Sequence, residues 1–266
     1  KNMKNFLVIG NPIEHSISPK LHNYWFKETK IDAIYQKQKL DENQLNEFIN
    51  RIREKKLDGA NITLPFKEKI IKFVDKLTDE AKEANSVNTI YLSNNSVVGH
   101  NTDIAGFYLS LNKSNLNFPN TKALIFGSGG VTPSIIIGLR KFGVKNIFIS
   151  NRTVEKAIKL KERFKFLEVI EWGKSVKSNL VINTTSLGLK SSDNIELDYS
   201  SFDPESLFYD VIYKPTETNF LLNAKKRGHK TQNGLLMFLY QASEAFKKWH
   251  KIEPKIDKNL LNFLKQ

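Results

Sequence analysis

The chain has 266 residues, with 41 lysines and arginines against 28 acidic residues, five histidines and no cysteine, for a formal net charge of +13. Its 40% hydrophobic and 11% aromatic content is that of a folded globular chain, long enough for one large domain or, slightly favoured, two modest ones. The missing cysteines exclude disulfides, a thiolate nucleophile, Cys-ligated zinc and an iron–sulfur cluster, and the histidines never fall at ligand spacing, so no metal site is expected.

The positive charge is mostly lysine scattered beside Asn and Glu, with only six arginines, which is the pattern of a solvated surface rather than of a nucleic-acid footprint. No stretch approaches the ~18 apolar residues of a membrane span. Neither nucleic acid nor membrane is therefore an expected partner.

Strand and helix patterns alternate along the chain, which predicts an α/β fold with a mainly parallel sheet. Residues 6–10 read as the first strand. The apolar run Phe6-Leu7-Val8-Ile9 resembles a signal peptide only briefly, because Gly10-Asn11-Pro12 stops it at a strand's length, and a cytoplasmic chain is expected. Ser16 and Ser18 stand at the start of the next helix, with Ser18 as its expected N-cap and Pro19 behind it. Two hydroxyls at a positive helix end can hold a carboxylate; alternatively Ser18 only caps.

Residues 44–55 are amphipathic, residues 59–64 form a short strand closed by Pro65, and a helix is expected from about Phe66. On that strand Asn61 and Thr63 share one face while Ile62 and Leu64 share the other. Lys67 falls in the first turn of the expected helix, as an ordinary surface lysine or, given a carboxylate partner, as a proton-transfer group. Residues 87–92 and 97–99 read as hairpin strands around Ser93-Asn94-Asn95, with Asn88 and Thr89 entering the first. His100-Asn101-Thr102-Asp103 closes the hairpin. Asp103 is either the N-cap of a helix over about residues 104–111 or the partner of Lys67.

The polar stretch 112–120, which contains Pro119, reads as a linker, and the rhythm then restarts. Strands are expected at 123–126, 146–150, 180–183 and 207–211, with helices near 132–142 and 154–164. Between the first of these strands and its helix lies Gly127-Ser128-Gly129-Gly130-Val131-Thr132, with Thr132 at the third glycine position of G-x-G-x-x-G. Glycines there allow a sharp turn and a close approach of backbone N–H groups to a pyrophosphate. The motif alone is weak, but the strand before, the helix after and a second strand about twenty residues on favour dinucleotide binding. An NAD site tends to carry Asp or Glu at the end of that second strand. This chain has Asn151-Arg152-Thr153, and a guanidinium suits the 2′-phosphate of NADP. Read alone, Arg152 is equally a solvated arginine beside a capping Thr153.

The last long helix, residues 234–249, carries an apolar stripe through Leu235, Phe238, Leu239, Ala242, Ala245, Phe246 and Trp249. Gln241 lies off that stripe, on the side of Gly234 and Met237, where it can face a cleft. Met237 can equally be core filler.

Together, Gly10-Asn11-Pro12, His15-Ser16-Ile17-Ser18-Pro19, residues 61–67, Val87-Asn88-Thr89 and Asn101-Thr102-Asp103 form an ordered set of segments. It continues with the glycine turn, Asn151-Arg152-Thr153, and residues 183–188, 210–215 and 234–249. In this set the chain resembles the shikimate dehydrogenase family along its whole length. The resemblance implies an N-terminal α/β substrate domain (residues 1–103, with 235–266 returning to it). It also implies a linker helix and Rossmann-type NADP-binding domain (residues 104–234), with the C-terminal helices packing back on the substrate domain. The implied activity is NADPH-dependent, reversible reduction of 3-dehydroshikimate to shikimate, in aromatic amino-acid (chorismate) biosynthesis.

By the same resemblance Lys67 and Asp103 match the catalytic pair, and Ser16 and Ser18 the residues that bind the substrate carboxylate. Asn61, Thr63, Asn88, Asp103, Tyr213 and Gln241 match contacts to the ring hydroxyls. Gly127, Ser128, Gly129, Gly130, Val131, Asn151, Arg152 and Thr153 match the NADP site, and Val211 and Gly234 lie where the family holds the nicotinamide. The chain departs from the pattern at Val131-Thr132-Pro133, where small residues are usual, at Ser186 and Leu189, where Pro and Met are common, and at Ala84-Asn85-Ser86. Two other readings are a quinate/shikimate dehydrogenase using NAD, which Arg152 argues against, and a non-catalytic dinucleotide- or nucleic-acid-binding protein, which Lys67 and Asp103 argue against. A small-molecule substrate and a monomer or homodimer are expected.

Overall fold

The computed structural model describes residues 3–112, 114 and 116–266. Its strands form two six-stranded sheets, and the chain divides into two units. The first comprises the residues up to Gly106 together with Leu239–Gln266; the second is Phe107–Phe238.

The first unit contains strands β1 (Lys4–Gly10), β2 (Ala33–Lys39), β3 (Gly59–Ile62), β4 (Lys76–Leu77), β5 (Thr89–Ser93) and β6 (Ser96–His100). Its helices are α1 (Ser18–Thr29), α2 (Leu45–Arg53) and α3 (Asp79–Ala84), and helix α4 (Asp103–Leu111) leads out of it. The sheet order is β2-β1-β3-β5-β6-β4, with β1 parallel to both neighbours and β5 antiparallel to both of its own. Central β1 is apolar in a continuous run because both of its faces are covered. Leu7 and Ile9 pack in a cluster with Leu45, Phe48, Ile49 and Ile52, the apolar stripe of α2. On the other face Phe6 meets Phe26 of α1 and Trp249 near the C-terminus.

The second unit contains β7 (Lys122–Phe126), α5 (Thr132–Lys141), β8 (Asn146–Ser150), α6 (Val154–Arg163), β9 (Leu167–Val169), β10 (Leu180–Asn183), β11 (Leu207–Asp210), α7 (Asn219–Lys226) and β12 (Lys230–Gln232). All neighbouring strands are parallel in the order β12-β11-β10-β7-β8-β9. Counted from β7, this is the doubly wound order 3-2-1-4-5-6, whose direction reverses between β7 and β10. Helix α8 (Leu235–His250) leads back to the first unit, and α9 (Lys258–Lys265) ends there. Trp25 of α1 donates its indole N–H to the Lys255 carbonyl (2.9 Å), and the ring of Tyr24 packs tilted against Phe263 of α9, so the C-terminal helices do return to the first unit.

Two expected elements differ. The helix expected from Phe66 is a pair of turns followed by a 3₁₀ helix, Lys69–Phe73. Only Phe66 and Ile70 of residues 66–73 are buried, and the chain soon pairs β4 with β6, so a short, tight helix suffices. The linker expected over residues 112–120 is in part structured. Lys113 and Asn115 lie outside the described residues, but Phe118 opens a 3₁₀ turn and stacks on Phe142 at 4.0 Å, where an aromatic side chain has something to cover.

Candidate active site

In the first unit, the turn after β3 presents Lys67 and the start of α4 presents Asp103. Lys67 Nζ donates to Asp103 Oδ2 at 2.7 Å, with the side chains 19% and 6% exposed. Asp103 is not the helix cap. Asn101 takes that part, its Oδ1 accepting from the Ile104 N–H at 3.1 Å, which leaves the Asp103 carboxylate to side-chain partners. Its second oxygen accepts from Asn88 Nδ2 at 3.2 Å. The same Asn88 nitrogen lies 2.8 Å from Thr102 Oγ1 and 3.2 Å from Gln241 Oε1 of α8, and Thr102 Oγ1 donates to the Gln241 carbonyl. Lys67, Asn88, Asp103 and Gln241 are thus one connected polar network.

Asn61 joins it through Nδ2, which donates to Asn88 O (3.0 Å) and Thr89 Oγ1 (3.1 Å), while its Oδ1 accepts from the Tyr35 hydroxyl. Thr63 lies just beyond the end of β3, half-buried, its backbone N–H donating to Ile9 O. Ser18 is the first residue of α1, with Ile17 as N-cap; the expected capping by Ser18 is not made. Its own N–H donates instead to Ser16 Oγ at 3.3 Å, so Ser16 serves the helix start and brings the two serines together. Tyr35, Asn101 and Thr102 support this network and are not among the site residues expected from the sequence. The only trace of Tyr35 in the sequence is a lone aromatic followed by four polar residues.

In the second unit, β7 ends in the glycine turn. Gly127 has φ +113°, and a Cβ there would come within 3.0 Å of Thr184 and Thr185. Thr132, at the third glycine position, is fully buried and uses its hydroxyl to bond Thr184 Oγ1 (2.8 Å) and Gly127 O (3.2 Å), tying the turn to the end of β10. A Cβ at Gly129 or Gly130 would meet nothing within 4 Å, and Ser128 Oγ is buried with no protein partner. This open glycine backbone at the start of α5, lying where the strand order reverses, fits a dinucleotide pyrophosphate.

Arg152 is exposed just beyond β8, and Asn151 Nδ2 donates to Thr153 O (2.8 Å). Thr153 stands at the N-cap of α6 but makes no capping hydrogen bond, so capping does not account for its side chain. Val211 donates its N–H to Asn183 O, and a Cβ on Gly234 would overlap the Val211 carbonyl, so only glycine fits there. Tyr213 stacks on Phe238, and burial pushes its phenol up to about 12. Beneath this loop Asp210 accepts from Thr218 Oγ1 (2.7 Å), the Ile212 N–H (2.9 Å) and Asn183 Nδ2 (3.1 Å); burial nevertheless raises its carboxyl to about 6. Met237 is core filler, packed in the apolar cluster around β7 and α5.

Among the described residues no group of three or more His, Asp or Glu is placed to hold a metal ion, and no helix is long and apolar enough to cross a membrane.

Residues 8–90 match the family model of the shikimate dehydrogenase substrate binding domain. Over 98% of both chains, the sequence is 53% identical to the shikimate dehydrogenase (NADP(+)) of Pelagibacter ubique. The chain belongs to the shikimate dehydrogenase family. Among solved shikimate dehydrogenases, that of Aquifex aeolicus is similar with a TM-score of 0.91 at 35% identity, covering 99% of this chain and 98% of that one. The shikimate 5-dehydrogenase of Thermus thermophilus, in complex with NADP(H) and shikimate, is similar with a TM-score of 0.88 at 31% identity over 95% of each chain. The shikimate dehydrogenase fold expected from the sequence, an α/β unit followed by a Rossmann-type unit with returning C-terminal helices, is the one observed.

Proposed function

We propose that the chain catalyses the NADPH-dependent, reversible reduction of 3-dehydroshikimate to shikimate, an oxidoreduction at a CH–OH group within aromatic amino-acid (chorismate) biosynthesis. The observation that carries the proposal is the Lys67–Asp103 pair, held at 2.7 Å and joined through Asn88 to Gln241. NADPH, when bound, supplies the hydride that reduces the C3 carbonyl.

The chain's own residues then have separable tasks. Asp103 holds the Lys67 ammonium in place, and Lys67 gives its proton to the carbonyl oxygen in reduction and takes it back in oxidation. Ser16 and Ser18 hold the substrate carboxylate at the start of α1. Asn61, Thr63, Asn88, Gln241 and Tyr213 are the residues assigned to the ring hydroxyls. Gly127, Ser128, Gly129, Gly130 and Val131 hold the pyrophosphate. Asn151, Arg152 and Thr153 hold the adenosine end, with the Arg152 guanidinium on the 2′-phosphate, and Val211 and Gly234 flank the nicotinamide. Residues 1–103 with 235–266 act as the substrate domain and 104–234 as the cofactor domain, in a cytoplasmic monomer or homodimer.

Steady-state rates with shikimate and quinate, each with NADP⁺ and NAD⁺, test the assignment. Shikimate with NADP⁺ is expected to be the fastest pair. Dominance of quinate with NAD⁺ would move the chain to the quinate/shikimate reading, and absence of turnover with all four pairs would remove the assignment.

A further inference from the structure

Tyr35 is the one buried side chain of β2, an edge strand that is otherwise polar or half-exposed. Its ring lies flat on His22 of α1, with centroids 4.3 Å apart and planes 2° apart. His22 is itself packed against Trp25, Phe246 and Trp249. This aromatic block fixes the tyrosine on its apolar sides, and only the hydroxyl leaves it. That hydroxyl donates to Asn61 Oδ1 at 2.7 Å. Burial holds the phenol well above its ordinary range, so it stays protonated and remains a donor.

Asn61 has little freedom of its own, because Nδ2 donates to Asn88 O and Thr89 Oγ1. Its amide therefore has a fixed sense, Oδ1 toward Tyr35. Flipping it would set an NH₂ group against the phenol and an oxygen against the Asn88 carbonyl. The phenolic oxygen thus bears directly on Asn61, which the proposed function assigns to the ring hydroxyls of the substrate.

We propose that Tyr35 is a positioning residue for substrate binding, its hydroxyl holding the Asn61 amide in the orientation that presents it to the ring hydroxyls. The proposal rests on the reading of Asn61 as a substrate ligand. It acts on binding rather than on the proton-transfer pair.

The test compares Tyr35→Phe with the wild-type enzyme and with His22→Phe, which keeps a stacked ring in the block without touching the hydroxyl. Tyr35→Phe should raise KM for shikimate about tenfold, the effect of losing one buried hydrogen bond, with kcat and KM for NADP⁺ nearly unchanged. His22→Phe should leave all three in place. In an Asn61→Ala background, Tyr35→Phe should add little further to KM, as expected for two residues acting through one contact. An unchanged KM in Tyr35→Phe, an equal rise in His22→Phe, or additive effects with Asn61→Ala would overturn the positioning role and leave the proposed function standing. A wild-type chain that neither binds nor oxidises shikimate would overturn both.

Discussion

Lys67 and Asp103 come from a turn and a helix start 36 residues apart in sequence, and their 2.7 Å bond is mostly shielded from water. A pair in that setting keeps its geometry better than a surface salt bridge, whose net worth is small. Lys67→Ala should lower kcat for shikimate oxidation by about 10²–10⁴ while changing KM for shikimate little, because the group is assigned to proton transfer rather than to binding. A near-normal kcat in that variant would show that the lysine does not carry the proton. Arg152 lends itself to the complementary experiment. If its guanidinium meets the 2′-phosphate, Arg152→Ala should raise KM for NADP⁺ about tenfold and leave KM for NAD⁺ alone, since a charge-assisted bond is lost only with the phosphorylated cofactor. Equal effects on both cofactors would make Arg152 a solvated surface residue.

At the level of elements, the strand–turn–helix of β7, the glycine turn and α5 is legible in the sequence because every local signal agrees. The apolar run, the glycines, Pro133 near the helix start and the buried Ile135-Ile136-Ile137 all specify the same geometry. β2 is not legible. Its sequence, AIYQKQK, turns a single large side chain inward, and an edge strand needs no more apolar content than that. With the strand, Tyr35 escapes notice too, and so does its bond to Asn61. The 3₁₀ helix after Lys67 reads as an α-helix for a related reason, since Phe66 and Ile70 have helical spacing but too few buried neighbours to sustain one. Asp103 stays open between cap and partner in the sequence, because only the fold shows that Asn101 makes the capping bond. The close approach at Gly234 also depends on tertiary contact. Gly234→Ala should cost about 1–3 kcal/mol in chemical denaturation, because the added Cβ displaces backbone rather than a flexible side chain. Wild-type stability in this variant would mean that the Val211 loop yields easily.

On the scale of the whole molecule, the formal charge of +13 matters less than one buried and two half-buried histidines. Burial first, then the charge of His250, lowers His22 from its ordinary 6.5 to about 3. Burial is also the largest cause for His100, with Lys248 adding and Glu80 opposing, and for His250, with Lys4 adding; both fall to about 4. These groups are neutral when folded and take up protons on unfolding, so the unfolded state binds more protons as pH falls below 6.5. Asp210 works the other way. Its carboxyl, raised from 3.8 to about 6, favours the folded state at low pH and loses that contribution as pH rises through about 6. With three groups against one, folding stability should fall as pH drops from about 6.5 toward 4. Denaturation midpoints measured across that range should decline, and His22→Phe should flatten the slope. A level profile would mean that the histidines gain partners or water in solution.

The first unit is assembled from two stretches of chain with the entire second unit between them. Phe246 and Trp249, which cover Phe6, Trp25 and Phe26, lie near the end of the chain, whereas Phe107–Phe238 is a single uninterrupted stretch. During synthesis the second unit is therefore complete before the aromatic side of the first can close. A nascent chain paused after Phe238 holds every residue of the Rossmann sheet, while Phe6, Trp25 and Phe26 still wait for the helix that shields them from water, and for chaperones to cover them until it arrives.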